Sequence, residues 1–258
     1  MHTNRNTPAV GLETRRWLYK KAREEDVLDL GSLTLIEKSI AKCARVSPAG
    51  MVHDLAIHLG APSETALLTA SVVEMFYAVC SLTDDIQDGD ATAYLGDVPL
   101  PLQINALTHL LCLVAVRCQD LEALIKSRRS SEIVTEVYRV GATMLTGQRV
   151  EIERSPWKIE QYERVARMSA GVQYGLYFQL AAECAEAEEV AWIDFGRAFG
   201  TLLQLASDME SEDLRLTVLD KNDTVFLKDG LIRELRDVAA PLGDFAVLLA
   251  EGLVRRCR

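Results

Sequence analysis

The sequence has few of the residues that build metal–thiolate sites or disulfide frameworks. It contains six cysteines and four histidines in 258 residues, and no two cysteines form a CxxC pair. His53 and His58 are five residues apart, off the i, i+4 spacing that places two histidines on one helix face. We therefore expect reduced thiols in a cytosolic protein, and neither disulfides nor a zinc site.

The chain also lacks an excess of positive charge and an unbroken membrane-length apolar run. Its 38 Asp and Glu residues outnumber 28 Lys and Arg residues, which gives a net charge of -10. Nucleic-acid binding needs a basic footprint, so we expect no nucleic-acid partner. The polar start is unlike a secretory signal, and no apolar run reaches the roughly 18 residues of a membrane span. These features indicate a cytoplasmic protein.

Alternating strand patterns are missing too, whereas helical periodicity recurs along the chain. Hydrophobic residues make up 49% of the sequence, enough for a sizeable core. We predict a flexible segment over residues 1–12 and one all-α domain of about ten helices over residues 13–258. Within it, one long helix is expected over Trp157–Glu183, and Thr217–Asp229 is expected to be irregular.

Residues 71–90, SVVEMFYAVCSLTDDIQDGD, form the most informative stretch. A mostly apolar helical run leads directly into four aspartates. On a continued helix Asp84 and Asp88 stack on one side with Asp85 beside them, and such like charges repel. Mg²⁺ is held by one or two carboxylates together with substrate phosphates, so the pattern favours a Mg²⁺–diphosphate site. The alternative is a solvated acidic helix end.

Ordered landmarks along most of the chain resemble the trans-isoprenyl diphosphate synthases, or polyprenyl synthetase family. The segment Asp84-Asp85-Ile86-Gln87-Asp88 resembles the first DDxxD motif of that family. The later landmarks are Gln103-Ile104-Asn105-Ala106, then Gly147-Gln148 with Glu151, then Gly200, Gln204 and Asp208 around the second acidic motif, and finally Asp223-Thr224. A lone DDxxD is a moderate indication, but five landmarks in the family's order are a strong one.

This resemblance implies an antiparallel, isoprenoid-synthase-type helical bundle with a central apolar cavity, a homodimer, and two acidic motifs facing across the cavity. It implies Mg²⁺ at Asp84 and Asp88, with Asp85 orienting metal-bound water or Arg45. The other residues implied are Asp208 in catalysis with Glu212 one turn later, Tyr77 in the cavity wall, Gln148 and Glu151 at the donor head group, and Gln173 and Gln204 near phosphate or water.

Several family positions are changed in this chain. The GGKRxRP segment appears as Lys42-Cys43-Ala44-Arg45-Val46-Ser47-Pro48, and residues 89–99 contain no basic residue where an Arg-Arg-Gly is usual. Val172 and Gln173 replace a Lys-Thr pair. Since a diphosphate pocket needs several fixed cations, isopentenyl diphosphate is not the expected acceptor. The departures resemble those of prenyltransferases of moenomycin-type phosphoglycolipid biosynthesis, which join a geranyl unit to a farnesyl ether of phosphoglycerate.

Two other functions remain open at this point. A class I terpene cyclase would share the first motif, but its second motif ends in an acidic residue that is missing here. A non-catalytic subunit of a heteromeric prenyl synthase often loses the first DDxxD, which this chain keeps. A lipid-like acceptor would also imply peripheral membrane contact, toward which a net charge of -10 gives no electrostatic help.

Overall fold

The computed structural model describes residues 7–24, 28–43, 47–125, 132–153, 157–211 and 219–257. All regular secondary structure in these ranges is helical. The predicted all-α class is confirmed. The predicted flexible segment 1–12 is too long, because the first helix already begins at Thr7 and Val10 is fully buried.

The chain divides into two compact units. The first comprises Met1–Val134 and Glu183–Glu186, and the second comprises Thr135–Ala182 and Ala187–Arg258. The single domain predicted for residues 13–258 therefore stays a prediction. Helices of the first unit are α1 (Thr7–Glu24), α2 (Leu30–Cys43), α3 (Ala49–His58), α4 (Ser63–Asp88), α5 (Thr92–Leu95) and α6 (Leu100–Leu124).

The second unit holds the remaining elements. These are α7 (Ile133–Ile152), which starts in the first unit, α8 (Ile159–Ala166), a π-helical turn (Arg167–Gly171), α9 (Val172–Cys184), whose end lies in the first unit, α10 (Val190–Glu210), α11 (Lys221–Ala239), a 3₁₀ turn (Ala240–Leu242) and α12 (Asp244–Arg256). The single helix predicted over Trp157–Glu183 is thus interrupted by the π turn.

Helix α4 is the central helix of the first unit, where it packs against α1, α2, α3 and α6. Residues 69–76 are all buried, and a helix that is apolar on all sides belongs inside a core. Pro62 precedes its first residue, and Gly89 ends it with a φ of 83°, a left-handed conformation that glycine adopts without steric cost. Because α4 ends at Asp88, the aspartates that follow the apolar run lie at the C-terminal end of this helix.

In the second unit, α10 packs tightly against the π turn and α9. An added Cβ at Gly200 would lie 2.2 Å from the carbonyl oxygen of Ala170, and one at Gly196 would lie 2.5 Å from that of Tyr174. These two positions therefore admit only glycine without a shift of the backbone. The close approach also packs Phe178 against Phe195, with ring centroids 5.2 Å apart.

The irregular segment predicted over Thr217–Asp229 is wrong from Lys221 onward, where α11 begins. The side chain of Asp220 accepts a hydrogen bond of 2.7 Å from the backbone N–H of Asn222. This contact caps the helix by satisfying one of its free N–H groups. Residues 212–218 lie outside the described ranges.

Two described helices, α4 and α6, are long and apolar enough to cross a membrane by length and composition alone. Helix α4 is mostly buried in the protein, as expected of a core helix, whereas only a third of the most apolar stretch of α6 is buried. Our search for unbroken apolar runs missed both, because each contains scattered polar residues. All six cysteines are free, and only Cys112 is exposed; that the thiols are reduced in the cell stays a prediction.

Candidate active site

The candidate metal ligands lie in the last two turns of α4. Asp84 and Asp88 are both exposed, one helical turn apart, a rise of about 6 Å. The last turn contains no basic residue. Because the C-terminal end of a helix carries partial negative charge, the helix dipole adds to these carboxylates in attracting a cation.

Asp85 is oriented differently from its two neighbours, since its side chain is buried. The ammonium group of Lys42 on α2 forms an ion pair with Asp85 Oδ2, and the hydroxyl of Tyr94 on α5 donates a hydrogen bond of 2.9 Å to the same oxygen. Burial and then this hydrogen bond raise the pKa of the Tyr94 hydroxyl, so it stays a neutral donor. Asp85 is therefore held by the protein itself.

An apolar cluster lies beneath this acidic end. Leu82 of α4, Ala91 and Leu95 are buried together, with Ile86 and Val98 packed against them. The cluster joins the last turns of α4 to α5 and to the segment before α6. It fixes the direction in which α4 ends, and hence where the aspartates lie.

The two exposed carboxylates at the end of α4 suit a Mg²⁺ ion that is bound together with a substrate. Within the described ranges, no three or more His, Cys, Asp or Glu side chains are grouped closely enough to hold a metal ion alone. Asp84 and Asp88 supply two carboxylates, and Mg²⁺ commonly takes one or two carboxylates and completes its octahedron with water and phosphate oxygens. The residues present therefore suit Mg²⁺ bound together with a diphosphate.

Tyr77 lies on the same face of α4 as Asp84, two turns earlier, and is half-buried. Burial raises the pKa of its hydroxyl to about 12, with further contributions from Cys43, Cys80 and the two aspartates Asp84 and Asp85. Tyr77 is therefore a neutral phenol at physiological pH, able to donate a hydrogen bond. Arg45, expected nearby, lies outside the described residues.

The second acidic motif is centred on Asp208 near the end of α10. Its carboxylate is buried and accepts hydrogen bonds from the hydroxyl of Tyr162 at 2.6 Å and from Nε2 of Gln204 at 2.8 Å. Gln204 thus contacts the aspartate one turn later on its own helix. Together, Tyr162 and Gln204 orient the Asp208 carboxylate.

The other predicted site residues of the second unit lie on α7 and α9. Gln148 and Glu151 are half-buried and one turn apart on α7, whereas Gln173 is buried. Gln173 lies two residues after the π turn, and such turns are frequent at functional sites. Glu212 lies outside the described residues. The roles of these residues stay predictions, as does the facing of the two acidic motifs across a cavity.

Sequence reasoning missed three residues that hold the acidic side chains. Tyr162 follows no motif, so nothing in the sequence connected it with Asp208. Lys42 stands first in the segment that resembles the family's cationic motif, but only Arg45 was considered there. Tyr94 lies within residues 89–99, the segment noted for its lack of basic residues, and its hydroxyl was not considered as a partner of Asp85.

The fold is that of the isoprenoid synthases, by comparison with solved structures. The structure is similar to a geranyltranstransferase of Thermotoga maritima, with a TM-score of 0.78, 17% identity, and coverage of 100% of this chain and 99% of that one. It is similar to an FPP/GFPP synthase of Zymomonas mobilis, with a TM-score of 0.76 and 14% identity over 98% and 97% of the two chains. A geranylgeranyl pyrophosphate synthetase of the archaeon Geoglobus acetivorans gives a TM-score of 0.73 at 14% identity, with complete coverage of both chains.

Comparison with models of protein families finds no match, and comparison with curated proteins finds none either. At identities of 14–17%, likeness to the solved structures establishes the fold alone. The predicted isoprenoid-synthase fold is confirmed.

Proposed function

We propose that the protein is a cytoplasmic, Mg²⁺-dependent prenyltransferase that transfers an allylic prenyl group, geranyl from geranyl diphosphate, to a prenylated acceptor other than isopentenyl diphosphate. The observation that carries this proposal is the pair of exposed carboxylates, Asp84 and Asp88, at the end of the central helix of an isoprenoid-synthase fold. Two carboxylates with a partial negative helix end suit a metal–diphosphate complex.

In this proposal Asp84 and Asp88 would hold Mg²⁺, which when bound would supply charge neutralisation for the leaving diphosphate. The C–O bond of the donor breaks, and the electron pair leaves with the diphosphate. The acceptor alkene supplies two electrons to the new C–C bond, and a proton passes from the acceptor to the released diphosphate. Tyr77 and the apolar residues of the predicted cavity would keep water from the allylic cation.

The proposal for the prenyl acceptor depends on how few cations lie around the Asp84–Asp88 motif. Residues 89–99 carry no basic side chain, and the short helix α5 in this segment presents Tyr94 to Asp85 instead. Lys42, the nearest cation on α2, is engaged by Asp85. With few cations left for a second diphosphate, a farnesyl ether of phosphoglycerate, as in phosphoglycolipid antibiotic biosynthesis, is the better acceptor. We also propose a catalytic role for Asp208, whose carboxylate Tyr162 and Gln204 orient.

The test is incubation with geranyl diphosphate and Mg²⁺ in three parallel reactions, analysed by mass spectrometry. The acceptors are farnesyl-phosphoglycerate, isopentenyl diphosphate and none. A coupled product only with farnesyl-phosphoglycerate supports the proposal. An elongated prenyl diphosphate would indicate an ordinary chain-elongating synthase, and a hydrocarbon formed without acceptor would indicate a terpene cyclase. No product in any reaction would indicate a non-catalytic subunit.

We also propose a homodimer that uses α6. The most apolar 18 residues of this helix have a mean hydropathy of 1.4, so burial is expected for many of its side chains. About half of the surface of Leu100, Leu102 and Ile104 is nevertheless exposed. Leu100 and Ile104 lie one turn apart on the same side of α6, and exposed apolar residues grouped in this way are typical of an interaction surface. The substitution Leu100→Glu with Ile104→Glu should yield monomers in light scattering, whereas Leu248→Glu, at an exposed apolar position on α12, should leave the assembly unchanged.

A further inference from the structure

Helix α1 presents one strongly cationic face. The residues at helical spacing along this face are Leu12, Arg15, Arg16, Tyr19, Lys20 and Arg23, which together line a shallow groove. All six are exposed. We call this set the cationic face of α1. It places four positive charges and two apolar side chains on a single exposed surface.

The opposite face of α1 packs against helices α4 and α6 of the first unit. Thr14 is fully buried, and its Oγ1 lies 2.5 Å from Glu74 Oε2 on α4. Trp17 is buried as well and donates a hydrogen bond of 2.8 Å from Nε1 to Asp120 on α6. Because these contacts set the rotation of α1 about its axis, the cationic face points outward in a defined orientation.

Most cations of this face have no carboxylate partner among the described residues, although Arg15 interacts electrostatically with the buried Glu74. Arg23 lies over the ring of Tyr19, with 5.4 Å between the guanidinium carbon and the ring centroid. No described residue forms an ion pair with Arg15, Arg16 or Lys20, whereas ion pairs are common elsewhere on the surface. Ordinary solvated surfaces intersperse both signs of charge. Arg16 and Lys20, which have no ion pair within the described ranges, therefore favour an anionic partner.

Charge is also distributed unevenly along the chain. Helix α1 contains five Lys and Arg residues against two Glu residues, a net charge of +3, so that the rest of the 258-residue chain carries -13. An anionic surface would repel the rest of the chain taken together and attract α1, which favours an approach through this helix.

We propose that the cationic face of α1 docks the protein on an anionic lipid bilayer. Basic residues attract anionic headgroups, and Leu12 and Tyr19 supply the apolar component of an interfacial helix, in which tyrosine sits at headgroup level. The docking extends the proposed function, because a lipid-like acceptor is met at a membrane, but it requires no prenyl substrate and can hold if the acceptor is a different one.

The test is co-sedimentation of the full-length protein with vesicles of phosphatidylcholine alone or mixed with phosphatidylserine. We expect binding only to the mixed vesicles, and weaker binding as salt is raised. Each cation near an anionic surface contributes about fivefold to binding. The double substitution Arg16→Gln with Lys20→Gln should therefore weaken binding about 25-fold. Leu12→Ser with Tyr19→Ser keeps every charge and should weaken it several-fold.

The matched control removes four exposed cations from the second unit: Lys158→Gln, Arg164→Gln, Lys221→Gln and Arg233→Gln. It changes the net charge by twice as much as the α1 double variant and should bind the vesicles like wild type. Circular dichroism confirms that each variant keeps its helix content. Equal losses for the control and the α1 variant would overturn the proposal. The proposal would also be overturned if the wild-type protein bound vesicles equally well with and without phosphatidylserine. The same holds if it bound RNA or polyglutamate as tightly as the vesicles at the same salt concentration.

Discussion

Lys42 forms an ion pair with Asp85, and its ammonium nitrogen also lies 5.0 Å from the centroid of the Tyr94 ring. The middle aspartate of the acidic motif is thereby bound on both sides by residues of α2 and α5. It is not available as a metal ligand in this arrangement. Of the three aspartates in the Asp84–Asp88 motif, Asp84 and Asp88 are the two that are exposed.

Replacing Lys42 by methionine tests the importance of this ion pair. The change leaves an unpaired negative charge on Asp85 beside the proposed diphosphate site, so we expect the KM for the prenyl diphosphate to rise about tenfold, equivalent to about 1.4 kcal/mol. Because the Lys42 side chain is 39% exposed, its contribution to stability should be small, at most about 1 kcal/mol. Steady-state kinetics and urea unfolding measure the two effects.

Two controls accompany Lys42→Met. Lys42→Arg keeps the charge and should restore most of the substrate affinity. Lys38→Met, one turn earlier on α2 at an exposed position, should leave the KM unchanged. A wild-type KM for Lys42→Met would show that the ion pair has no part in substrate binding.

Asp84 and Asp88 are the residues on which the metal proposal depends. Asp84→Ala and Asp88→Ala should each reduce the rate of diphosphate release at least ~100-fold, a typical loss for a key electrostatic group. Asp90→Ala is the control, since Asp90 is exposed in the turn just beyond the helix. Near wild-type rates for both alanine variants would remove the metal assignment.

Asp208 depends on Tyr162 for the orientation of its carboxylate. Tyr162→Phe removes a hydrogen bond of 2.6 Å to a buried carboxylate and leaves one of its oxygens less well satisfied. We expect a loss of about 1.5–3 kcal/mol in the free energy of unfolding, measured by urea titration. Tyr138→Phe, at an exposed tyrosine of α7, should change it little. Equal stability of Tyr162→Phe and wild type would show that Tyr162 does not hold Asp208.

The sequence predicted those features whose cause is local. The apolar run before Asp84 indicated a buried helix. This run forms α4, in which buried residues occur in every turn from Thr65 to Asp85. The helix after Asp220 was missed because its first turn is charged and exposed and is started by a single capping contact. Its buried stripe begins only in the second turn, with Leu227, Leu231, Leu235 and Ala239. The π turn at Arg167–Gly171 was missed because one extra residue in a turn hardly alters the helical pattern.

The partners of the acidic side chains could not be predicted in the same way. Lys42 and Asp85 are 43 residues apart in sequence, and Tyr162 and Asp208 are 46 apart. Such pairs depend on which faces of two helices meet and on the rotamers chosen there. Periodicity places each residue on a face but does not say which helix covers that face.

Gly200 allows α10 to approach the π turn closely. Gly200→Ala would bring a methyl group to 2.2 Å from the carbonyl oxygen of Ala170, which is backbone and cannot rotate away. We expect a loss of about 3 kcal/mol in the free energy of unfolding, measured by urea titration. Gly230→Ala, on α11 with open space around it, should instead add up to about 1 kcal/mol through helix propensity. Equal stability of both variants would contradict the close packing.

Glu74, on α4, is buried where this helix packs against α1. The hydroxyl of Thr14 lies near three possible acceptors, one of which is Glu74, and it can donate its proton to only one of them. Thr14 Oγ1 lies 3.1 Å from the carbonyl oxygen of Val10, 3.1 Å from Ser71 Oγ and 2.5 Å from Glu74 Oε2. Burial raises the pKa of the Glu74 carboxyl above its usual value, against the opposing effect of the Thr14 hydrogen bond. A protonated Glu74 would donate to Thr14, which could then donate to Val10.

A raised pKa in the folded state means that, just above the usual glutamate pKa of about 4.3, the folded protein binds more protons at Glu74 than the unfolded chain does. The contribution of Glu74 to stability is therefore full below that pH and declines as pH rises through the raised folded pKa. Glu74→Gln keeps the shape without the charge and should flatten this decline in urea unfolding measured from pH 5 to pH 8. Glu64→Gln, at an exposed position of α4, should keep the wild-type slope. If Glu74→Gln showed that same slope, the carboxyl would be as well solvated in the folded protein as in the unfolded chain.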